Sequence, residues 1–218
     1  MIQKPMFSPQ TEWLPPESFP DLSNYNEIAI DLETKDPELK STGSGSITGK
    51  GQIVGIAVAV EGWSGYYPIA HEGGGNMDKK KVMDWFRTIL NYESVKIFHN
   101  AMYDVCFIRA AGLKINGLIV DTMIAGSLVD ENRFRYDLGS MGRDYLGKGK
   151  NEAVLAETAA IWGVDAKSEM YKLPAMYVGE YAERDAELTL DLWQEMRKEI
   201  NHQDIESIFK LETELFPC

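Results

Sequence analysis

The segment Glu27-Ile28-Ala29-Ile30-Asp31-Leu32-Glu33 is the tightest constraint on what this chain can become. Its short apolar opening reads as a strand of the buried type, yet it closes on two carboxylates. Side chains two apart on a strand point to one face, so Asp31 and Glu33 project together while Leu32 points the other way. Any sheet built around this strand therefore carries a pair of anions side by side at one strand end.

The rest of the chain supplies a sheet and helices around that strand. Residues 53–60 form a second strand, and Gly62 and Gly65 frame a turn into a third at 66–69, an antiparallel meander. Residues 78–91 place Val82, Trp85, Phe86 and Ile89 at helical spacing. Strands at 96–98 and 118–120 flank a helix over about 101–111, a compact βαβ unit. Helices are expected at 121–129, 137–146, 152–163, about 176–200 and 203–216. Residues 1–26 hold five of the nine prolines and read as an extended arm, not a packed element. Residues 34–52 are a polar stretch containing Gly43-Ser44-Gly45-Ser46, and residues 44–51 within it read as a mobile loop. That loop departs from a Walker phosphate loop at Ser44 and at Gly51.

With 218 residues, 44% of them hydrophobic, the chain can bury one good-sized core. No apolar run reaches the roughly 18 to 20 residues of a membrane span, and residues 1–10 lack the order of a signal peptide, so a soluble, cytoplasmic protein is expected. Two cysteines, Cys106 and Cys218, imply neither a disulfide framework nor a Cys-based zinc site. The net charge of -12 argues against strong unaided binding of nucleic acid, whose affinity rests on Lys and Arg. That objection weakens where metal ions stand between carboxylates and phosphate, since the ions then carry the positive charge.

Three further side chains can reach the strand end. Tyr181 and Asp185 are four apart on the long helix and share a face. Asp104 lies in the first turn of the 101–111 helix, where the dipole favours an anion. Asp121 is its rival and reads better as a helix cap. Four carboxylates brought together repel and resist desolvation, so such a cluster holds a cation. Oxygen ligands alone select a hard ion, Mg²⁺ or Mn²⁺. Two such ions suit in-line displacement at phosphorus, and so hydrolysis of a nucleic-acid phosphodiester.

The motifs Asp31-Leu32-Glu33-Thr34, Asn100-Ala101-Met102-Tyr103-Asp104 and Tyr181-Ala182-Glu183-Arg184-Asp185 resemble, in order, the three motifs of the proofreading 3′-5′ exonucleases, in the branch with a Tyr in the last motif (DEDDy). The position five before the last Asp, which carries His in another branch, is Glu180. The element order is similar to the ribonuclease H-like superfamily, which implies an α/β fold with a mixed five-stranded sheet flanked by helices. The Trp13-Leu14-Pro15-Pro16 arm, Asp121-Thr122-Met123-Ile124-Ala125 and Tyr145-Leu146-Gly147 resemble the N-terminal part of bacteriophage family A DNA polymerases. The ending Leu211-Glu212-Thr213-Glu214-Leu215-Phe216-Pro217 resembles the junction with their polymerase region.

That resemblance implies an arm at 1–26, an exonuclease domain at 27–200 and a C-terminal helix at 201–218 leading toward a polymerase region. It implies that Asp31, Glu33 and Asp185 hold the ion that activates water. Asp31 also reaches the second ion, Asp104 holds that ion through water, and Tyr181 orients the nucleophile. Thr34, His99, Asn100 and Tyr103 fall on substrate-facing positions. The implied partners are single-stranded or frayed DNA 3′ ends and a DNA polymerase, acting in the host cytoplasm if phage-encoded. A ribonuclease D type of RNA exonuclease shares the Tyr motif, and a non-catalytic domain that keeps the fold is the rival of another class.

Other features carry blander expectations. His71 and His202 lack ligand partners at recognisable spacing and are expected at the surface. Met170, Met176 and Trp162 are expected to fill core gaps. Glu180, Glu183 and Glu187 are expected mainly on the outward face of their helix.

Overall fold

A computed structural model of the chain describes residues 10–150 and 152–215. Residues 1–9 of the arm and residues 216–218, with Cys218, lie outside the described residues. Five strands form one mixed sheet: β1 (Glu27–Lys35), β2 (Gln52–Val60), β3 (Trp63–Pro68), β4 (Val95–Phe98) and β5 (Ile119–Asp121), in spatial order β3-β2-β1-β4-β5. The first three pair antiparallel as a meander, and β4 and β5 add in parallel beside β1. The helices are α1 (Leu39–Thr42), α2 (Gly45–Thr48), α3 (Lys79–Leu90), α4 (Ala101–Ala110), α5 (Thr122–Val129), α6 (Leu138–Leu146), α7 (Ala153–Trp162), α8 (Gly179–His202) and α9 (Glu206–Glu214). This is the α/β architecture the element order implies. Among the described residues, no helix is long and apolar enough to cross a membrane.

Strand parity divides the core. Ile28, Ile30, Leu32, Ile56, Val58, Tyr67 and Phe98 pack with Val82, Phe86 and Ile89 of α3 and Val105 and Ile108 of α4 on one face. Ala29, Ala57, Ala59, Tyr66, Ile97 and Val120 face the other way, with Ala182, Ala186, Leu188 and Leu192 of α8. The small residues on this second face let α8 lie close across β1, β2 and β3. Asp31 and Glu33 share the parity of Ala29 and so project toward α8. The pairing of β1 with β2 slips between Glu33 and Thr34, a bulge of the kind that re-aims the side chains after it.

Several local expectations are corrected. The arm has no helix or strand over residues 10–26, yet it is packed: Trp13 and Leu22 are buried, and Phe19 stacks 5.5 Å from Tyr67 and lies tilted 5.7 Å from Trp85. Trp85 Nε1 donates to Pro20 O at 2.9 Å, and the Tyr67 hydroxyl to Ser18 O at 3.0 Å. Prolines forbid regular backbone pairing but leave aromatic side chains free to be buried. The Trp13 ring covers Gly179, where a Cβ would come within 2.0 Å. The long helix begins there and not at 176, because residues Ala175–Tyr177 form a separate 3-10 turn after Pro174. Residues 43–51 are no simple loop: α2 is capped by Ser44, and Asp36 accepts from Gly45 N. Met170 is buried and Trp162 packs at the core margin, but Met176 is exposed. Glu183 and Glu187 do not merely face solvent, since Glu183 accepts from Tyr66 N at 3.0 Å and Glu187 from Ser64 Oγ at 2.7 Å. They tie α8 to the edge strand β3, whose outer N–H groups need acceptors.

His71 is buried, contrary to expectation, whereas His202 is exposed. Its Nδ1–H donates to Leu173 O at 3.0 Å, so Nε2 accepts from the Tyr66 hydroxyl at 2.6 Å. Leu173 is remote in sequence, which hid the site. The Tyr66 phenol in turn lies across Gly55, the partner of Glu33 in the sheet. A Cβ at Gly55 would stand 2.0 Å from that hydroxyl. Gly55→Ala should therefore cost about 1–3 kcal/mol by forcing the ring aside, read by denaturant unfolding. Burial pushes the His71 imidazole down from 6.5 to about 4. The unfolded chain takes up this proton near pH 6.5 and the folded chain only near 4, so stability is present above 6.5 and drains away between those values. Thermal melts of His71→Gln across that window should show a shallower loss than the parent. Equal slopes would show that His71 is not a contributor.

Candidate active site

β1, α4 and α8 each deliver part of the site. Asp31 and Glu33 come from the end of β1, partly buried. Asp104 is buried in the first turn of α4, and Tyr181 and Asp185 are buried one turn apart on α8. The placement of Asp104 depends on Asp121. Its Oδ1 accepts from Met123 N at 2.8 Å, capping α5, and from Asn100 N at 3.0 Å, while Oδ2 accepts from Ala101 N at 2.9 Å. Asp121 thus caps a helix as expected and also binds the N-terminus of α4. Asn100 adopts a left-handed φ of 63° to make that turn, a conformation Asn tolerates better than most residues.

The acidic groups share one electrostatic environment. Burial, then the charge of Asp185, pushes the Asp31 carboxyl up to about 7. Burial, then Asp31 and Asp185, raises Glu33 well above the usual carboxylate range. Burial, then Asp31 and Glu33, does the same to Asp104. Burial raises Asp185, opposed by Lys150. The structure therefore brings together Asp31, Glu33, Asp104 and Asp185, with the Tyr181 phenol raised by burial and then by Asp185.

Lys150 is the residue that sequence reasoning missed. Its Nζ donates to Asp185 Oδ2 at 2.5 Å and to the Tyr181 hydroxyl at 3.2 Å. It belongs to the glycine-spaced run Gly147-Lys148-Gly149-Lys150 between α6 and α7, whose pattern carries no periodic signal that would aim it inward.

Of the residues expected to face substrate, Thr34 and Tyr103 are half-buried. The Tyr103 hydroxyl donates to Asp36 Oδ2 at 3.1 Å and accepts from Thr34 Oγ1 at 2.9 Å. Asn100 is exposed. The His99 ring is instead turned into the protein: Thr122 Oγ1 donates to Phe98 O at 3.2 Å and so accepts from His99 Nδ1–H at 2.9 Å.

The donor set is oxygen-only, the chemistry of Mg²⁺ and Mn²⁺ sites. Asp185 Oδ1 is buried without a hydrogen-bond partner, an acceptor available to a cation. The residues thus fit a hard metal ion. Among the described residues, however, no three acidic, His or Cys side chains already close round a single ion.

A family model described as 3′-5′ exonuclease matches residues 7–201. The chain is 33% identical over 229 aligned residues to the DNA-directed DNA polymerase of Pseudomonas phage M6, covering 99% of this chain and 34% of that protein. It therefore spans about a third of that relative's length. Brucella melitensis NrnC with bound Mg²⁺ superposes with a TM-score of 0.62 at 16% identity, covering 90% of this chain and 84% of that one. Escherichia coli RNase D, an exoribonuclease involved in structured RNA processing, gives 0.60 at 16% identity, covering 89% and 44%. At such identities the two structures show a shared fold. Because the family match runs through β1, α4 and α8 alike, the chain belongs to the 3′-5′ exonuclease family, in the branch carried by phage family A DNA polymerases.

Proposed function

We propose that this chain is a two-metal-ion 3′-5′ exonuclease that hydrolyses the terminal phosphodiester of DNA, releases deoxynucleoside monophosphates and proofreads for a DNA polymerase. The observation that carries it is the convergence of Asp31, Glu33, Asp104 and Asp185 from three separate elements, with Tyr181 beside Asp185. Asp31, Glu33 and Asp185 would hold one ion and Asp31 and Asp104 the other. Two bound Mg²⁺ or Mn²⁺ ions would supply a lowered water pKa and charge stabilisation at the phosphorus.

The protein's own part is placement and proton inventory. Burial raises the Tyr181 phenol far above its ordinary value, so it stays protonated and donates a hydrogen bond that orients the attacking water. Thr34, Asn100 and Tyr103 line the rim where the terminal nucleotide would lie, with His99 behind them. Frayed or single-stranded 3′ ends are the substrate of choice, a polymerase region or subunit the partner, and the host-cell cytoplasm the place of action. The likeness to a phage DNA polymerase supports DNA as the substrate. The likeness to RNase D supports a second reading as an RNA exonuclease, and retention of all four carboxylates speaks against a non-catalytic domain.

Digestion of oligonucleotides labelled at the 3′ or the 5′ end, with Mn²⁺, reads activity and polarity together. Shortening from the 3′ end of single-stranded DNA, with matched RNA cut more slowly, is the expected result. RNA cut preferentially would favour the second reading, since discrimination rests on the 2′-hydroxyl. Asp31→Ala and Asp185→Ala should each lower turnover by more than about a hundredfold, the upper range for removing even an outer-shell partner of a metal. Near-normal activity in Asp31→Ala would end the assignment. Tyr181→Phe should slow turnover by about a hundredfold while leaving Mn²⁺ affinity close to that of the parent.

A further inference from the structure

The Lys150 ammonium sits where a cation is called for. Its side chain is 19% exposed and that of Asp185 5%, the most deeply buried of the described ion pairs. Besides Asp185 and Tyr181, it feels the charges of Asp31 and Glu33, and it stands 5.1 Å from the centre of the Tyr181 ring. Burying an ammonium is costly unless it is well paired, and this one is paired by the carboxylates of the candidate metal site. It reaches them from a connecting segment and not from the sheet or α8. Lys148 N donates to Gly142 O and Arg184 Nε to Gly149 O at the base of that segment.

An ammonium 2.5 Å from Asp185 Oδ2 fills the space in which Mg²⁺, at roughly 2.0 to 2.1 Å from its ligands, would bind the same oxygen. Two cations cannot share Oδ2 at those distances, although Oδ1 has no hydrogen-bond partner. We infer that Lys150 is a resident counter-cation that holds Asp185 Oδ2 in the ion-free protein and surrenders that oxygen when a divalent ion engages the carboxylate. The inference rests on the two-metal reading above. Once expelled from the carboxylates, the ammonium gains a new anionic partner only when a phosphodiester enters the cleft. Metal loading and substrate binding therefore favour each other, as linkage requires of any shared displacement. Lys150 is in this sense a positioning residue for the reaction, and a brake on ion binding by the empty enzyme.

The test measures ion binding rather than turnover. Mn²⁺ titrations at pH 8, followed by electron paramagnetic resonance, compare the parent with Lys150→Met. Removing a close competing charge should tighten binding of the first ion by about tenfold or more. A short oligonucleotide with non-hydrolysable phosphorothioate linkages should tighten Mn²⁺ binding in the parent and do so less in Lys150→Met. Equal or weaker ion binding by Lys150→Met overturns the inference, whereas absence of binding in both proteins overturns the two-metal reading itself. Should Lys150→Met fail to fold, the Nζ resonance of Lys150 in the parent decides, assigned by its loss in Lys150→Arg. It should shift when Mg²⁺ is added. A resonance that stays in place at saturating Mg²⁺ refutes the displacement.

Discussion

Like charges forced into one poorly solvated seam are the constraint on which this molecule turns. Burial raises the proton affinity of Asp31, Glu33, Asp104 and Asp185, and charge adds to it, Asp185 acting on Asp31, Asp31 and Asp185 on Glu33, and Asp31 and Glu33 on Asp104. Such repulsion would push the elements apart unless packing elsewhere outweighed it. The alanine-lined face of the sheet and the long apolar stripe of α8 provide that packing, and Lys150 supplies a positive charge at the centre.

A second layer of contacts keeps the geometry. Asp121 binds the start of α4 and caps α5 with one carboxylate. Glu183 and Glu187 bind α8 to β3 from the flank that does not face the cluster. Tyr66, held over Gly55 by His71, lies behind the strand position opposite Glu33. The arm completes the arrangement, with Trp13 seated on the first residue of α8. Each of these contacts lies on an element that carries a carboxylate of the site or on a direct neighbour of one. Under the proposed function, the net charge of -12 would make attraction for a phosphate depend on bound ions.

Much of this was legible in the chain because it is local. The alternation of β1 sets Asp31 and Glu33 on one face whatever the rest of the fold does. The four-residue step from Tyr181 to Asp185 sets them on one face of α8 in the same way. Asp121 before Thr122 reads as a cap, and it is one. The meander followed by βαβ also follows from local patterning. What escaped were contacts between distant residues, such as His71 with Leu173 or Trp13 with Gly179, and partners in segments without periodicity.

By itself, then, the sequence determined which side chains share a face, where the sheet strands and main helices lie and the family to which they belong, since backbone periodicity and short-range sterics decide those things within a few residues. Only the tertiary structure decided that Lys150 stands among the carboxylates, that the proline-rich arm is packed and that His71 is buried. Those outcomes depend on which surfaces meet, and the free energy of such meetings is a property of the whole packed chain and not of any segment in it.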